Sequence, residues 1–250
     1  MNRPRLPVAD PRTLAREIPG LLEPLFPHLI SGVVATLNHH SKPIRSYQPV
    51  ELSEVKATKL SRSMLFELAI ARAEDTIGRA PPDWSASLRK AVGRQKRHFD
   101  AEVPRTLTEQ DKAVAERVAQ NTLRALADLQ EDKIEQRIQV TPRIPGCQWI
   151  ASGVGDFSIG TRLVEVKCAN RNFSSADYRQ VLIYWILSYA AAVEGRGFEW
   201  THVALSNPRL GHTVNISFDR LISLLAGGKS KIELLQLFRA IVSERGGHIQ

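Results

Sequence analysis

Residues 137–168, RIQVTPRIPGCQWIASGVGDFSIGTRLVEVKC, carry the pattern that decides the fold. Residues 137–144 and 162–168 alternate between polar and apolar side chains and are rich in β-branched residues, which is typical of strands. Residues 149–157 form a further candidate strand, and the turn former Gly160 separates it from the last one. This stretch therefore predicts three consecutive strands.

Helical patterns surround these strands. Apolar residues recur at helical spacing over residues 106–136, where Thr108 is the predicted N-cap. After the strands, the chain predicts a strongly apolar helix, a hairpin and two closing helices, over residues 175–194, 201–207 with 212–218, 219–226 and 231–245. The order from residue 106 onwards is thus helix, three strands, helix, two strands and helices.

The first hundred residues are predicted to be mostly helical. Several prolines before residue 30 allow only short helices there. Residues 60–77 have helical periodicity with Ser61 as a plausible cap, and residues 85–98 predict a second helix. Residues 44–56 alternate between polar and apolar side chains and predict a strand.

A chain of 250 residues is long enough for a core domain with an accessory region. We therefore expect a mostly helical accessory region over residues 1–105 and a core over residues 106–250. The boundary lies where the prolines and short helices give way to the long helical pattern that precedes the strands.

The chain is basic, with a formal net charge of +8 and a pI of about 9.8. This charge favours a polyanionic partner, because Lys and Arg displace the counterions condensed on phosphates. Cys147 and Cys168 are the only cysteines and no CxxC pair exists, which excludes a disulfide framework and a zinc ribbon. The sequence has no secretory signal and no apolar stretch long enough for a membrane span. We therefore expect a cytoplasmic protein with no membrane partner.

Two carboxylates and a lysine are predicted to meet at the end of the third strand. With a period of two, Glu165 and Lys167 share one face of residues 162–168. The preceding strand reaches Asp156, and a short turn would place Asp156 beside Glu165 on the neighbouring strand. Charged groups on an otherwise apolar strand are costly to bury unless they are paired or bind a metal.

This grouping suits the hydrolysis of a phosphodiester bond. Mg²⁺ prefers oxygen ligands, and Asp156, Glu165 and the backbone carbonyl of Val166 offer three of them. Such an ion polarises a phosphate and lowers the pKa of a bound water. Lys167 would orient that water, help to deprotonate it or stabilise the charge that develops on the phosphate.

The pair Gly155-Asp156 followed by Glu165-Val166-Lys167 resembles the bipartite motif of the PD-(D/E)xK nuclease superfamily. Gly155 stands where many members have proline, at a position that holds no ligand. Gln180 and Tyr184 resemble the QxxxY motif that RecB-like branches carry on the next helix. The resemblance extends over about residues 106–218.

The resemblance implies an α/β fold with a restriction-endonuclease-like core, in which helices flank a central mixed sheet. It implies a Mg²⁺- or Mn²⁺-dependent deoxyribonuclease that acts on DNA. Such nucleases are found in bacterial defence or restriction and in repair, where some of them work in a complex with a partner protein. Gln180 and Tyr184 would face the active site. In the family a helical glutamate often completes the metal site, for which Glu116 is the first candidate here and Glu109 and Glu67 are alternatives.

A run of basic side chains on the second predicted helix is a candidate nucleic-acid surface. A solvated helix face is an equally good interpretation of this run. Its members are Arg89, Lys90, Arg94, Lys96 and Arg97.

Two other functions remain open from the sequence. The chain would serve as a catalytically inactive DNA-binding subunit if it kept the nuclease fold without the chemistry. It would serve as a protein-interaction component if its charge were incidental. A Glu-x-Lys pair alone often forms a surface ion pair, and Tyr184 or Gln180 alone would pack in a core, so only the joint pattern favours the nuclease.

Overall fold

A mixed sheet of six strands runs through the protein, whose computed structural model describes residues 10–12, 14, 22–95, 106–130 and 136–247. The strands of this sheet are β1 (Lys42–Pro43), β2 (Ile138–Val140), β5 (Phe157–Ile159), β6 (Arg162–Val166), β7 (His202–Asn207) and β8 (His212–Ser217). Two further strands, β3 (Arg143–Ile144) and β4 (Gly153–Val154), pair with each other as a separate ribbon. The order across the large sheet is β1-β8-β7-β6-β5-β2.

Helices cover both faces of the sheet. They are α1 (Ser31–His39), α2 (Leu52–Ala57), α3 (Arg62–Ile77), α4 (Trp84–Gln95), α5 (Glu109–Gln130), α6 (Ser175–Val193), α7 (Phe218–Leu225) and α8 (Lys231–Gly247). Val164 of β6 packs on the side of α3 and α5, whereas Leu163 packs on the side of α6, α7 and α8. The strand thus presents alternate side chains to two different cores, as its period requires.

The connection between β6 and β7 makes the sheet mixed. These two strands are parallel, while every other neighbouring pair in the sheet is antiparallel. A parallel pair needs a long crossover, which α6 provides. The predicted α/β class, with a mixed sheet flanked by helices, is confirmed at this level.

Local sequence signals explain the two longest N-terminal helices. The side chain of Ser61 accepts a hydrogen bond from the backbone N–H of Met64 at 3.3 Å and so caps α3. The hydroxyl of Thr108 accepts one from the N–H of Asp111 at 3.1 Å at the start of α5. Both predicted caps are confirmed. The last residues of the helices predicted over 85–98 and 106–136 include residues outside the described ranges.

Three predicted strands differ from the structure. Residues 137–144 divide into β2 and β3, because Thr141 adopts a φ of 47° and Pro142 offers no N–H for a ladder. Residues 149–157 contribute only β4 and the first residue of β5. Residues 44–56 form no strand; they follow β1 and include the start of α2.

Gly155 lies just before β5, at a position with little space for a side chain. Its N–H donates a hydrogen bond to the carbonyl of Pro142 at 2.9 Å. A Cβ at this position would come within 2.9 Å of a methyl group of Leu163, which real side chains avoid. The backbone therefore approaches β6 closely where Asp156 follows.

The N-terminal helices pack directly against the later elements. Met64 and Leu65 of α3 share a core with Val114 and Val118 of α5, and β1 pairs with β8. Residues 96–105, beside the predicted domain boundary, lie outside the described ranges, so the division at residue 105 stays a prediction. None of the described helices has the length and apolar character needed to cross a membrane.

Candidate active site

The antiparallel pairing of β5 and β6 places Asp156 opposite Glu165. Phe157 pairs with Val164, and both side chains point into the core beside α5. Asp156 and Glu165 lie one residue further along each strand and therefore project to the opposite face, toward α6. Asp156 is held there because its Oδ2 accepts the backbone N–H of Val166 at 2.8 Å.

Glu165 is completely buried, and its two oxygens have different surroundings. Its Oε1 accepts hydrogen bonds from Lys167 at 3.0 Å, from Arg12 at 3.3 Å and from Gln180 at 2.5 Å. Its Oε2 is buried without any partner among the described residues. Burial and the charge of Asp156 raise the pKa of Glu165, and the opposing charges of Lys167 and Arg12 do not cancel this effect.

Lys167 joins the strand to the crossover helix. Its Nζ donates to Glu165 and, at 2.8 Å, to the side-chain oxygen of Gln180. Its backbone N–H donates to the carbonyl of Ser206 at 2.8 Å, which extends the pairing of β6 with β7. The ammonium group is therefore fixed beside the carboxylates.

Gln180 and Tyr184 occupy one face of α6, four residues apart. Gln180 donates to the hydroxyl of Tyr184 at 3.0 Å, and both side chains are buried. Burial and the nearby charge of Glu165 raise the pKa of Tyr184, so its hydroxyl is protonated at neutral pH. The structure thus brings together all five residues of the two predicted motifs.

Arg12 is a member of the site that sequence reasoning missed. Its Nη2 lies 3.2 Å from Oδ1 of Asp156 and 3.3 Å from Oε1 of Glu165, and its Nε donates to Tyr184 at 3.5 Å. The charge of Glu165 is the main cause that raises the pKa of Arg12. Two carboxylates close together signal a need for positive charge, but no local pattern identifies an arginine in a proline-rich segment as its source.

The contacts of Glu116 among the described residues lie outside the two motifs. Its side chain accepts hydrogen bonds from Arg72 and Gln120, each at 2.8 Å. Glu109 is exposed and pairs with Lys112 at 2.7 Å. No group of three described acidic, cysteine or histidine residues is close enough to hold a metal ion.

Among the three predicted helical glutamates, Glu67 on α3 is the one whose pKa responds to the charge of Asp156. Burial is the largest cause that raises the pKa of Glu67, and the negative charge of Asp156 raises it further. The two carboxylates therefore interact electrostatically. Arg94 lies 3.7 Å from Glu67 and lowers that pKa in part.

The predicted basic run has several separate partners. Arg94 donates to Glu74 at 2.7 Å as well as approaching Glu67, and Lys90 pairs with Asp75. Arg89 is largely exposed and lies 3.8 Å from Asp83. Lys96 and Arg97 lie outside the described residues. Arg94 thus lines the acidic neighbourhood of the site, whereas Arg89 belongs to a solvated surface.

The site residues fit a hard divalent cation. The buried and unpartnered Oε2 of Glu165, the Oδ1 of Asp156 and the carbonyl of Val166 are oxygen donors, the type that Mg²⁺ and Mn²⁺ prefer. A positive group, the guanidinium of Arg12, already spans the two carboxylates. The donor set therefore attracts a cation and suits one that binds through oxygen.

Comparisons of the chain with protein-family models, with curated proteins and with solved structures gave no match. Interpretation of the site therefore depends on its own residues and geometry.

Proposed function

We propose that the protein is a metal-dependent nuclease of the PD-(D/E)xK type that hydrolyses phosphodiester bonds in DNA. One observation carries the proposal: Asp156, Glu165 and Lys167 lie in one hydrogen-bonded cluster with Gln180 and Tyr184. Two motifs that are separated in sequence converge in space, which a surface ion pair or a core tyrosine would not require.

The order of the elements supports a restriction-endonuclease-like core. Three antiparallel strands, β2, β5 and β6, are followed by the crossover helix α6 and the parallel strand β7. A helix, α5, precedes them and packs on the sheet. This is the sequence of helix, three strands, helix and strand that the resemblance implies.

Each residue has a distinct chemical task in this proposal. Asp156, Glu165 and the carbonyl of Val166 would hold Mg²⁺ or Mn²⁺, which polarises the scissile phosphate and acidifies a water when bound. Lys167 would donate to the oxygen that becomes more negative during the reaction. Gln180 would fix both Lys167 and Glu165, since it bonds to each, and Tyr184 would fix Gln180 in turn.

The direct test is cleavage by the purified full chain of linear, circular and single-stranded DNA, with Mg²⁺ and with Mn²⁺. We expect Asp156→Asn to abolish metal-dependent cleavage while DNA binding and folding persist. Asp219→Asn is the matched control, because Asp219 is an exposed aspartate that pairs with Lys231. Cleavage by Asp156→Asn at the wild-type rate would refute the active site.

The contacts of Arg12 favour a second candidate function. A guanidinium that already neutralises Asp156 and Glu165 would suit a DNA-binding subunit that keeps the nuclease fold and needs no metal. In that case the wild-type chain would bind DNA in a salt-sensitive manner but cleave none of the substrates with either ion.

A further inference from the structure

Arg209 is a buried guanidinium that has no counter-ion among the described residues. The residue lies in the turn between β7 and β8 and is only 2% exposed. Its Nε and Nη2 are buried and have no hydrogen-bond partner, and no described carboxylate forms an ion pair with it. An isolated buried charge is costly, so a site of this kind is incomplete without an anion.

The surroundings of Arg209 are positive as well. Its guanidinium lies over the ring of Phe66 on α3, 5.9 Å from the ring centre. Arg62 is four residues earlier and therefore shares that face of the helix. After burial, the positive charge of Arg62 is the next cause that lowers the pKa of Arg209, as two nearby cations require.

The first turn of α3 adds to this positive field. It contains Arg62 and no acidic residue, although a helix N-terminus favours negative charge. Ser61 already caps the N–H of Met64 there, so the positive end of the helix acts mainly through its field. No described carboxylate forms an ion pair with Arg62 or with Arg209.

The corner adjoins the candidate active site. Asn207, two residues before Arg209, ends β7, and the preceding residue Ser206 accepts the N–H of Lys167 at 2.8 Å. On the helix, Arg62 precedes Glu67 by five residues, which is about 7.5 Å along the axis.

We propose that Arg209 and Arg62 bind a backbone phosphate of the nucleic-acid strand, beside the phosphate that is cleaved. The inference rests on the proposed nuclease function and deepens it. Arg209 supplies a desolvated positive charge that has no partner among the described residues, and its guanidinium packs over Phe66. The site positions the strand and takes no part in bond cleavage.

The test measures DNA binding by the full chain in EDTA, where cleavage does not interfere. Arg209→Met and Arg62→Gln are compared with the wild type on a short fluorescent DNA by anisotropy over a series of salt concentrations. We expect roughly tenfold weaker binding for Arg209→Met and a salt dependence that is smaller by about one phosphate contact. Arg220→Gln removes the same charge from an exposed position on α7 and should change neither.

Thermal stability separates this role from a structural one. Methionine removes an unpaired buried charge, so Arg209→Met should unfold at the same or a higher temperature than the wild type while it binds DNA more weakly. Arg62→Gln changes an exposed side chain and covers the case in which Arg209→Met does not fold.

Three results would overturn the proposal. The first is that both variants bind DNA as tightly as the wild type. The second is that the wild-type chain binds no DNA. The third is stabilisation by inorganic phosphate that depends on Arg209 while DNA binding does not, which would indicate a free phosphate instead. Cleavage by the wild type, tested through Asp156, would still stand or fall separately.

Discussion

Asp111 and Glu165 are two carboxylates that the fold buries completely, yet only one of them is satisfied. Asp111 at the start of α5 accepts from the N–H groups of Lys59 and Thr108 on its two oxygens, at 2.9 and 2.8 Å. Glu165 receives all its donors on one oxygen and leaves the other bare. Burial is therefore common to both carboxylates, and the unfilled oxygen of Glu165 is what distinguishes them.

The pKa values of Asp111 and Glu165 are shifted in opposite directions. Burial alone would raise the pKa of Asp111, but hydrogen bonds from Thr108 and from the backbone of Lys59 and Leu60 outweigh it and lower the pKa. The pKa of Glu165 stays raised. One carboxylate is stabilised as an anion by the fold, and the other needs a further cation to be equally stable.

Exchanging each carboxylate for its amide should separate these roles, and the largest effect is expected at Glu165. Glu165→Gln should reduce metal-dependent cleavage by about a thousandfold or more, because an amide is a much weaker ligand for a hard cation. Its unfolding free energy should change little, since glutamine keeps the acceptor that faces Gln180. Cleavage rates and urea unfolding of the same preparation measure both quantities.

Asp111→Asn should show the reverse pattern. We expect the unfolding free energy to fall by about 2 to 3 kcal/mol, because an amide group cannot accept on both sides from the backbone of Lys59 and Thr108. The rate of cleavage by the folded fraction should be unchanged. A large loss of cleavage without a loss of stability would contradict the structural role of Asp111.

The acid stability of Asp111→Asn provides an internal check on that measurement. A carboxylate whose pKa is lowered by folding stabilises the protein above its unfolded pKa, and this stability is lost as the pH falls through the folded pKa. The difference in stability between the wild type and Asp111→Asn should therefore shrink as the pH falls below about 4. A difference that grew in acid would reject the hydrogen-bonding explanation.

A smaller effect on the cleavage rate is expected from the helical glutamate that interacts with Asp156. Glu67→Gln should slow cleavage about tenfold, because the charge of Glu67 acts on Asp156 without a direct bond to it. Glu116→Gln is the matched control and should cleave at the wild-type rate, since Glu116 bonds to Arg72 and Gln120. The opposite ranking of the two variants would restore Glu116 as the site residue.

The smallest effect concerns the cation that already spans the carboxylates. Arg12→Gln should lower the Mn²⁺ concentration for half-saturation by about two- to fivefold, because the ion no longer competes with a partly exposed guanidinium. Calorimetric titration with Mn²⁺ measures this without any substrate. Weaker Mn²⁺ binding by Arg12→Gln would show instead that Arg12 supports the metal site.

Local patterns in the sequence predict much of this site and little of its surroundings. The cap at Ser61 and the spacing of Gln180 and Tyr184 follow from short-range rules, as does the alternation that puts Glu165 and Lys167 on one face. Arg12 lies 153 residues from Glu165 in sequence. Arg209 lies in a turn for which the sequence predicts only a connection between two strands. Such contacts depend on how the elements pack, which periodicity does not specify.

The strand limits were harder to predict for a related reason. Alternation over residues 137–144 and 149–157 indicates extended backbone, but it does not show which extended residues find a partner. Thr141 and Pro142 interrupt the first stretch, and the β3–β4 ribbon uses residues that a longer core strand would need. Asp156 was nevertheless predicted at the right place, because the turn at Gly160 fixes the register of β5 against β6.

Gly155 shows how the fold restricts the residue that precedes Asp156. Its N–H is committed to the carbonyl of Pro142, and a proline there would have no hydrogen to donate. Placing at position 155 the proline that many PD-(D/E)xK nucleases have before their aspartate would detach the chain just before Asp156 and crowd the Leu163 side chain. In this protein, a proline at position 155 would thus loosen the aspartate that the backbone holds opposite Glu165.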